Sequence, residues 1–334
     1  MTKRHGRIDV HHHIIPPAIV EAMQNKAGGK FAGAGTAVPK WTPEQSIELM
    51  DAKGIQTAIT SISAPGVYFG SKSDAADLAR SCNEFSAEMR TRYPGRFGSF
   101  AVLPMPFSDL SVKEAIYALD HLHADGVVLL GSTDGVFLGD PRLDELMDEL
   151  NRRSALVFEH PNIHATSEQL GLGAPGFIVE FLCDTTRAAV NLILNGTLEK
   201  YPRIRWILAH SGGFLPFIAW RVSLAGNLPL PQYAQHTPQG ILNHIKRFYY
   251  DTALAPSASS LAALRELVEP SHILFGCDFP FAPEPVVNMC CQMLEKSQIW
   301  GDEVKYGMDR SHALSLFPHF KMDGEQVTPA PICQ

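Results

Sequence analysis

Arg7-Ile8-Asp9-Val10-His11-His12-His13 reads as a short strand that runs into three histidines. An open, doubly wound sheet ordinarily follows its first strand with a glycine-rich phosphate loop, and imidazoles stand in that place here. Seven more β-branched or apolar runs follow, at Gln56–Ser63, Gly98–Leu103, Gly126–Leu130, Ala155–Glu159, Ile204–Ala209, Phe248–Thr252 and His272–Gly276. Runs such as Val127-Val-Leu-Leu130 are apolar throughout, as parallel strands buried on both faces are. Amphipathic stretches lie between them: Pro43–Lys53 closed by Gly54 as a C-cap, Asp74–Arg92, Val112–His123, Arg142–Arg153, Ile178–Tyr201, Ala258–Val268 and Pro285–Lys296. Eight strands alternating with helices predict an α/β chain closed as a (β/α)₈ TIM barrel. Residues 1–334 read as a single domain, with the barrel core over about 8–318 and a tail over 319–334. Residues 14–42, rich in Gly, Pro and Lys, read as a long loop over the barrel mouth.

Composition narrows the function classes. A net charge of −7 with no basic block argues against a nucleic-acid partner. No stretch approaches the ~18 apolar residues of a membrane span. The start, Met1-Thr-Lys-Arg-His-Gly-Arg7, carries no apolar signal segment, so a cytoplasmic protein is expected. The cysteines (Cys82, Cys183, Cys277, Cys290, Cys291, Cys333) lack disulfide or zinc spacing and read as reduced thiols.

In such a barrel, chemistry gathers at the carboxyl ends of the strands. There the first strand offers His11-His-His13, the fifth Glu159-His160-Pro161, the sixth His210-Ser-Gly-Gly213, and the eighth Cys277-Asp278-Phe-Pro280. His11 and His13, two residues apart, point to one face of a strand, and His12 points to the other, towards the helices. One histidine at a strand end is more often a hydrogen-bonded structural residue. Imidazoles and a carboxylate from four separate strands make a poor core but a good divalent-metal site.

These segments, Ile8-Asp-Val-His-His-His13, Val157-Phe-Glu-His-Pro161, Ile207-Leu-Ala-His-Ser-Gly-Gly213 and Phe275-Gly-Cys-Asp-Phe-Pro280, resemble the amidohydrolase superfamily. The resemblance is to its branch of aminocarboxymuconate-semialdehyde and ortho-hydroxybenzoate decarboxylases. Ala79-Arg-Ser-Cys-Asn-Glu84 and Ala124-Asp-Gly-Val127 bring it nearest to 6-methylsalicylate decarboxylases. The resemblance implies that His11, His13, His160 and Asp278 bind one divalent metal, Zn²⁺ first and Mn²⁺ second. It implies that His210 is the acid–base residue beside the metal, and the mechanism expected on these residues gives Asp278 an acid–base role as well. It further implies a homodimer or dimer-based oligomer, in which Arg221 binds substrate in the neighbouring subunit's site.

Two departures stand out. Trp41-Thr-Pro-Glu-Gln-Ser46 has a serine where the semialdehyde decarboxylase carries a carboxylate-binding arginine, which favours an aromatic acid. His312 stands where the family commonly has an asparagine. Val127–Thr133 holds no lysine of the kind that bridges two metals in binuclear members, so a single metal is expected. The implied reaction is loss of CO₂ from a small ortho-hydroxybenzoate, leaving a phenol. The alternative on the same residues is a metal-dependent hydrolase of a lactone, ester or amide. Phe31, Trp41, Tyr68 and Phe281 are candidate pocket walls.

Overall fold

In the computed structural model, residues 6–26, 38–170, 173–327 and 330 are described. The barrel strands are β1 (Arg7–His13), β2 (Ile55–Ser61), β3 (Phe97–Val102), β4 (Gly126–Leu130), β5 (Leu156–His160), β6 (Arg205–Leu208), β7 (Tyr249–Asp251) and β8 (Ile273–Leu274). They pair in parallel in sequence order. The barrel closes between β1 and the chain that continues β8: Val10 N donates to Phe275 O at 2.9 Å, and Asp278 N donates to His11 O at 2.8 Å. Gly276 permits that approach, because a Cβ there would stand 2.9 Å from the Cβ of His11.

Local signals explain the helices. In α2 (Pro43–Lys53) the Thr42 side chain accepts from Gln45 N while the Gln45 side chain accepts from Thr42 N, a reciprocal capping box. Gly54 ends it in the left-handed conformation. Helices α3 (Lys72–Arg92), α4 (Ser108–Asp120) and α5 (Asp144–Arg152) fall within a few residues of the expected stretches. The stretch expected as one helix over Ile178–Tyr201 is two, α6 (Gly176–Leu194) and α7 (Thr197–Lys200). They are parted by Asn195 and by Gly196 at φ 72°.

The expected loop over residues 14–42 is corrected in part: Pro17–Lys26 forms a helix, α1. The remainder of that loop includes Phe31, which lies outside the described residues, as does the end of the tail. Helices α8 (Leu215–Ser223) and α9 (Pro238–Arg247) were not expected; α10 (Ala258–Leu267) and α11 (Glu284–Lys296) were. The chain then adds α12 (Asp302–Tyr306) and α13 (His312–Leu316). Among the described residues, no helix is long and apolar enough to cross a membrane.

Two arginines fasten the amino end of the barrel. Arg7 pairs with Asp309 (3.1 Å) and Glu295 (2.9 Å), and Arg310, buried, pairs with Glu325 and donates to Gly6 O. His312 belongs to this end: its Nδ1 lies 2.9 Å from Ile273 O, at the start of β8. It is therefore remote from the strand ends that carry chemistry. The five described cysteines are free thiols.

Candidate metal centre

His11 and His13 both turn into the barrel mouth, as the two-residue period requires. A register shift between Asp9 and His12 marks a bulge in β1 against β2, a feature that re-aims side chains beside active sites. His160 arrives from the end of β5, with Phe158 two residues earlier beneath it; the rings of Phe158 and His11 meet edge-on at 4.9 Å.

Three of the four expected ligands touch directly. His11 Nε2 lies 3.0 Å from His13 Nε2 and 3.3 Å from Asp278 Oδ1, and His13 Nε2 lies 3.1 Å from the same oxygen. With His160, all four ligand atoms fall within 4.8 Å of one another, and all four residues are buried. Donors about 2.1 Å from a common ion would be spaced like this.

The ring tautomers make the need for a cation plain. His11 Nδ1 faces Asp251 Oδ2 at 2.7 Å, His13 Nδ1 faces Ser61 Oγ at 3.0 Å, and His160 Nδ1 faces Pro161 O at 2.8 Å. Each Nδ1 thus has a partner to which it can donate its proton, which turns the Nε2 lone pairs of all three rings towards one another and towards Asp278. Four converging electron pairs in a buried place repel unless a cation, or a proton, sits among them. The residues fit a divalent metal.

Electrostatics of the metal-free site say the same. Burial opposes a charge on His11, but Asp251 and Asp278 outweigh it and push its pKa up to about 10. Burial takes His13 down to about 4, and His160 well below its ordinary value. Burial would raise Asp278, yet His11 and His13 hold its carboxyl well below the usual range. A proton on His11 would supply the positive charge that these converging groups call for.

His210 stands beside this group, its ring 4.8 Å from that of His11. Its Nδ1 faces Ala253 O at 3.1 Å, which leaves Nε2 as the reactive atom. Burial and then His11 lower its pKa, which favours the neutral ring. His210 at φ 52° and Asp278 at φ 62° both adopt the left-handed backbone that non-glycine residues avoid. Such strain persists where surrounding bonds over-determine it, as at active sites. Here Asp251 Oδ1 accepts from His210 N at 3.0 Å, and His11 O accepts from Asp278 N.

Asp251 is the residue that the sequence reading missed. It ends β7 within the expected strand Phe248–Thr252, and one carboxylate both orients His11 and fixes the backbone of His210. A carboxylate at a strand's carboxyl end, the same criterion applied to Asp278, would have found it. Ser46 is fully buried under β1, between His12 Nε2 and Trp41 Nε1, each at 2.8 Å; it takes no part in the cavity wall. Arg221 is exposed on α8 and does not line the site of its own chain. Of the candidate wall residues, Phe281 lines the cavity while Trp41 and Tyr68 do not.

Above the ligands opens a cavity of about 670 Å³, with His160, His210 and Asp278 on its floor. Phe181 and Leu182 of α6, Phe214 and Pro216 at the start of α8, and Val286 of α11 are among its apolar walls.

Comparison with known proteins now adds to this geometry. Residues 8–303 match the sequence profile of a family described as amidohydrolase. The decarboxylase yanB of Aspergillus niger is 38% identical, over 96% of this chain and 89% of its own length. The 6-methylsalicylic acid decarboxylase of Penicillium expansum is 37% identical, over 95% of this chain and 97% of its own. Among solved structures, the dihydroxybenzoic acid decarboxylase of a Polaromonas species, crystallised with manganese and 2-nitroresorcinol, superposes with a TM-score of 0.80. It covers 96% of this chain and 99% of that one; at 21% identity it speaks for the fold.

Proposed function

We propose, from the premise that this chain belongs to the amidohydrolase family and is a decarboxylase within it, that it releases CO₂ from a small ortho-hydroxybenzoate and leaves a phenol. The carrying observation is the convergence of the three Nε2 lone pairs and the Asp278 carboxylate beneath a mostly apolar cavity. The hydrolase alternative is set aside, because the relatives that match over nearly the whole chain are named decarboxylases.

His11, His13, His160 and Asp278 are the residues that would hold a divalent metal, Zn²⁺ by the imidazole-rich donor set and Mn²⁺ as the alternative. Bound there, the ion supplies a Lewis acid and an orienting centre for the substrate's oxygens. The chain's own groups do the rest. Phe281 and Phe181 offer apolar surface to the ring, and the enclosed floor keeps water from the reacting carbon. Neutral His210 takes the phenolic proton at Nε2 and returns it to the carboxyl-bearing carbon. A C–H bond forms at that carbon, and the C–C bond to the carboxylate breaks with its electron pair returning to the ring. CO₂ leaves, and the phenolate that remains takes a proton from water to become the phenol. Asp278, held as the anion by His11 and His13, is the second group able to carry that proton.

The finer assembly follows the same reading. Arg221 lies on α8 next to Trp220 (69% exposed) and near Phe217 (79% exposed), a surface suited to burial against a second copy. We read the protein as a homodimer in which Arg221 serves the neighbouring site.

The test is CO₂ release from salicylate, 6-methylsalicylate, and 2,3- and 2,6-dihydroxybenzoate, using protein reconstituted with Zn²⁺ or Mn²⁺ and assayed for metal. CO₂ with the matching phenol, absent in His11→Ala and in a metal-retaining His210→Ala, supports the reading. Near-normal turnover by His210→Ala removes that residue from the mechanism. Silence from metal-loaded protein across the panel sinks the substrate class.

A further inference from the structure

The cavity is larger than the reaction needs. A one-ring hydroxybenzoate has about ten non-hydrogen atoms, whereas pockets of some 300–1,000 Å³ are those that enclose drug-sized ligands. This cavity is about 670 Å³, and only its floor carries the metal-binding and acid–base groups. Once the carboxylate and hydroxyl of a substrate meet that floor, most of the space remains.

The chemistry of the remaining wall restricts what fills it. Among the described residues of this chain, no lysine or arginine lines the cavity, and the one acid there is Asp278. Beyond the one guanidinium that the dimer reading brings to the substrate's own carboxylate, a second carboxylate, a phosphate or a nucleotide-bearing thioester would meet no counter-charge from these residues and lose its hydration uncompensated. The hydroxyls of Ser257, Ser259 and Ser260 are bonded among themselves, at 2.8 and 3.0 Å, and require nothing from a ligand. Ser63 and Ser211 add two more hydroxyls, the latter donating to Asp251 O, and most of the other wall residues are apolar and continue outward to side chains left in water. Phe177 is 42% exposed, Ile178 50% and Leu254 42%, and all three belong to the same cavity as His210 and Asp278. This continuity from the reacting floor to an apolar rim points to an occupant that is polar at one end only.

We propose that the preferred substrate is an ortho-hydroxybenzoate carrying an alkyl or alkenyl arm of several carbons, with the arm lying along α6, α8 and α10 towards that rim. This rests on the ortho-hydroxybenzoate reading above. The acid then binds by two separable parts, a head group fixed at the floor and an arm held by hydrophobic burial. The class of reaction that supplies such a substrate is one that forms a phenolic ring bearing both the alkyl or alkenyl chain and the carboxyl.

The experiment is a chain-length series on the metal-loaded enzyme. Salicylates with methyl, propyl, pentyl and heptyl groups, one set at carbon 6 and one at carbon 4, are compared by kcat/KM. In at least one set, kcat/KM rises about two- to fourfold per added methylene until the cavity is full, the increment that burial of a methylene supplies. In parallel, Ala263→Phe places a ring in the wall that α10 contributes. It lowers the pentyl-to-methyl ratio of kcat/KM about tenfold, and because this is a ratio it does not depend on the fraction of active protein. Turnover of the methyl compound with flat or falling kcat/KM in both sets overturns the arm and keeps the reaction. A pentyl-to-methyl ratio unchanged by Ala263→Phe overturns the placement of the arm. Silence of every member, methyl included, overturns the parent reading and the arm with it.

Discussion

His11 and His12 are neighbours on one strand, both fully buried, and each turns its Nδ1 to a carboxylate: Asp251 at 2.7 Å for His11, Asp9 at 3.0 Å for His12. They differ in what the second nitrogen meets. His12 Nε2 finds the Ser46 hydroxyl at 2.8 Å, which also accepts from Trp41, and its bonding is complete. His11 Nε2 finds another imidazole nitrogen and a carboxylate oxygen, neither of which brings a proton. The same side chain on the same strand is thus a structural link on one face and a candidate metal ligand on the other. What separates them is the absence of a donor opposite the free lone pair, which sequence spacing encodes only as a choice of face.

That contrast can be broken most sharply at His11 itself. His11→Ala should lower metal affinity by more than the ~100-fold at the upper end for loss of a carboxylate behind a ligand, and turnover should vanish with it. Metal retained at the wild-type level, by elemental analysis after dialysis, would mean that the converging lone pairs are not the site. Next comes the carboxylate behind the ring: Asp251→Asn should cost about 10–100-fold in metal affinity or activity, read by competition with a chelator. A smaller effect would leave Asp251 as a backbone brace only.

The pH dependence sharpens the comparison further. In the metal-free protein His11 holds a proton up to about pH 10, whereas His13, at about 4, is already neutral near pH 7. Metal must expel the proton from His11 alone, so its affinity should rise with pH, by about tenfold per unit between pH 6.5 and 9. Chelator competition at three pH values checks the slope; a slope near zero, or near two, contradicts the assignment. The smallest effect belongs to the outer face. Ser46→Ala leaves His12 Nε2 and Trp41 Nε1 unsatisfied, which should cost about 1–3 kcal/mol of stability and lower the Tm. Metal affinity should stay within about twofold, the outcome that separates the two histidines.

How far the sequence could be read follows from the same distinction. Strands such as Val127–Leu130 were legible because burial on both faces leaves an unbroken apolar run, and α2 because Thr42 and Gly54 cap it. The four candidate ligand positions stood out because each sits where a strand ends, and the structure places those four side chains together. Helix α8 was not, since Leu-Pro-Phe-Ile-Ala-Trp is apolar on every side and shows no helical period; its surplus faces outward as Phe217 and Trp220. Helix α1 was hidden by the Gly- and Lys-rich residues that follow it. Asp251 was within reach of the strand-end criterion that found Asp278, but it carries no motif, and its two roles show only through contacts with His11, 240 residues earlier, and with the backbone of His210.

The closure of β1 against the end of β8 has one more consequence, for synthesis of the chain. A nascent polypeptide that has not yet released Asp278 from the ribosome possesses three imidazoles without the carboxylate that completes them. On the ligand set proposed above, the tightest binding of a divalent ion would wait until nearly the whole barrel has emerged, and truncated products would hold it more weakly. Possession of the metal would act, in effect, as a proofreading mark for full-length chains.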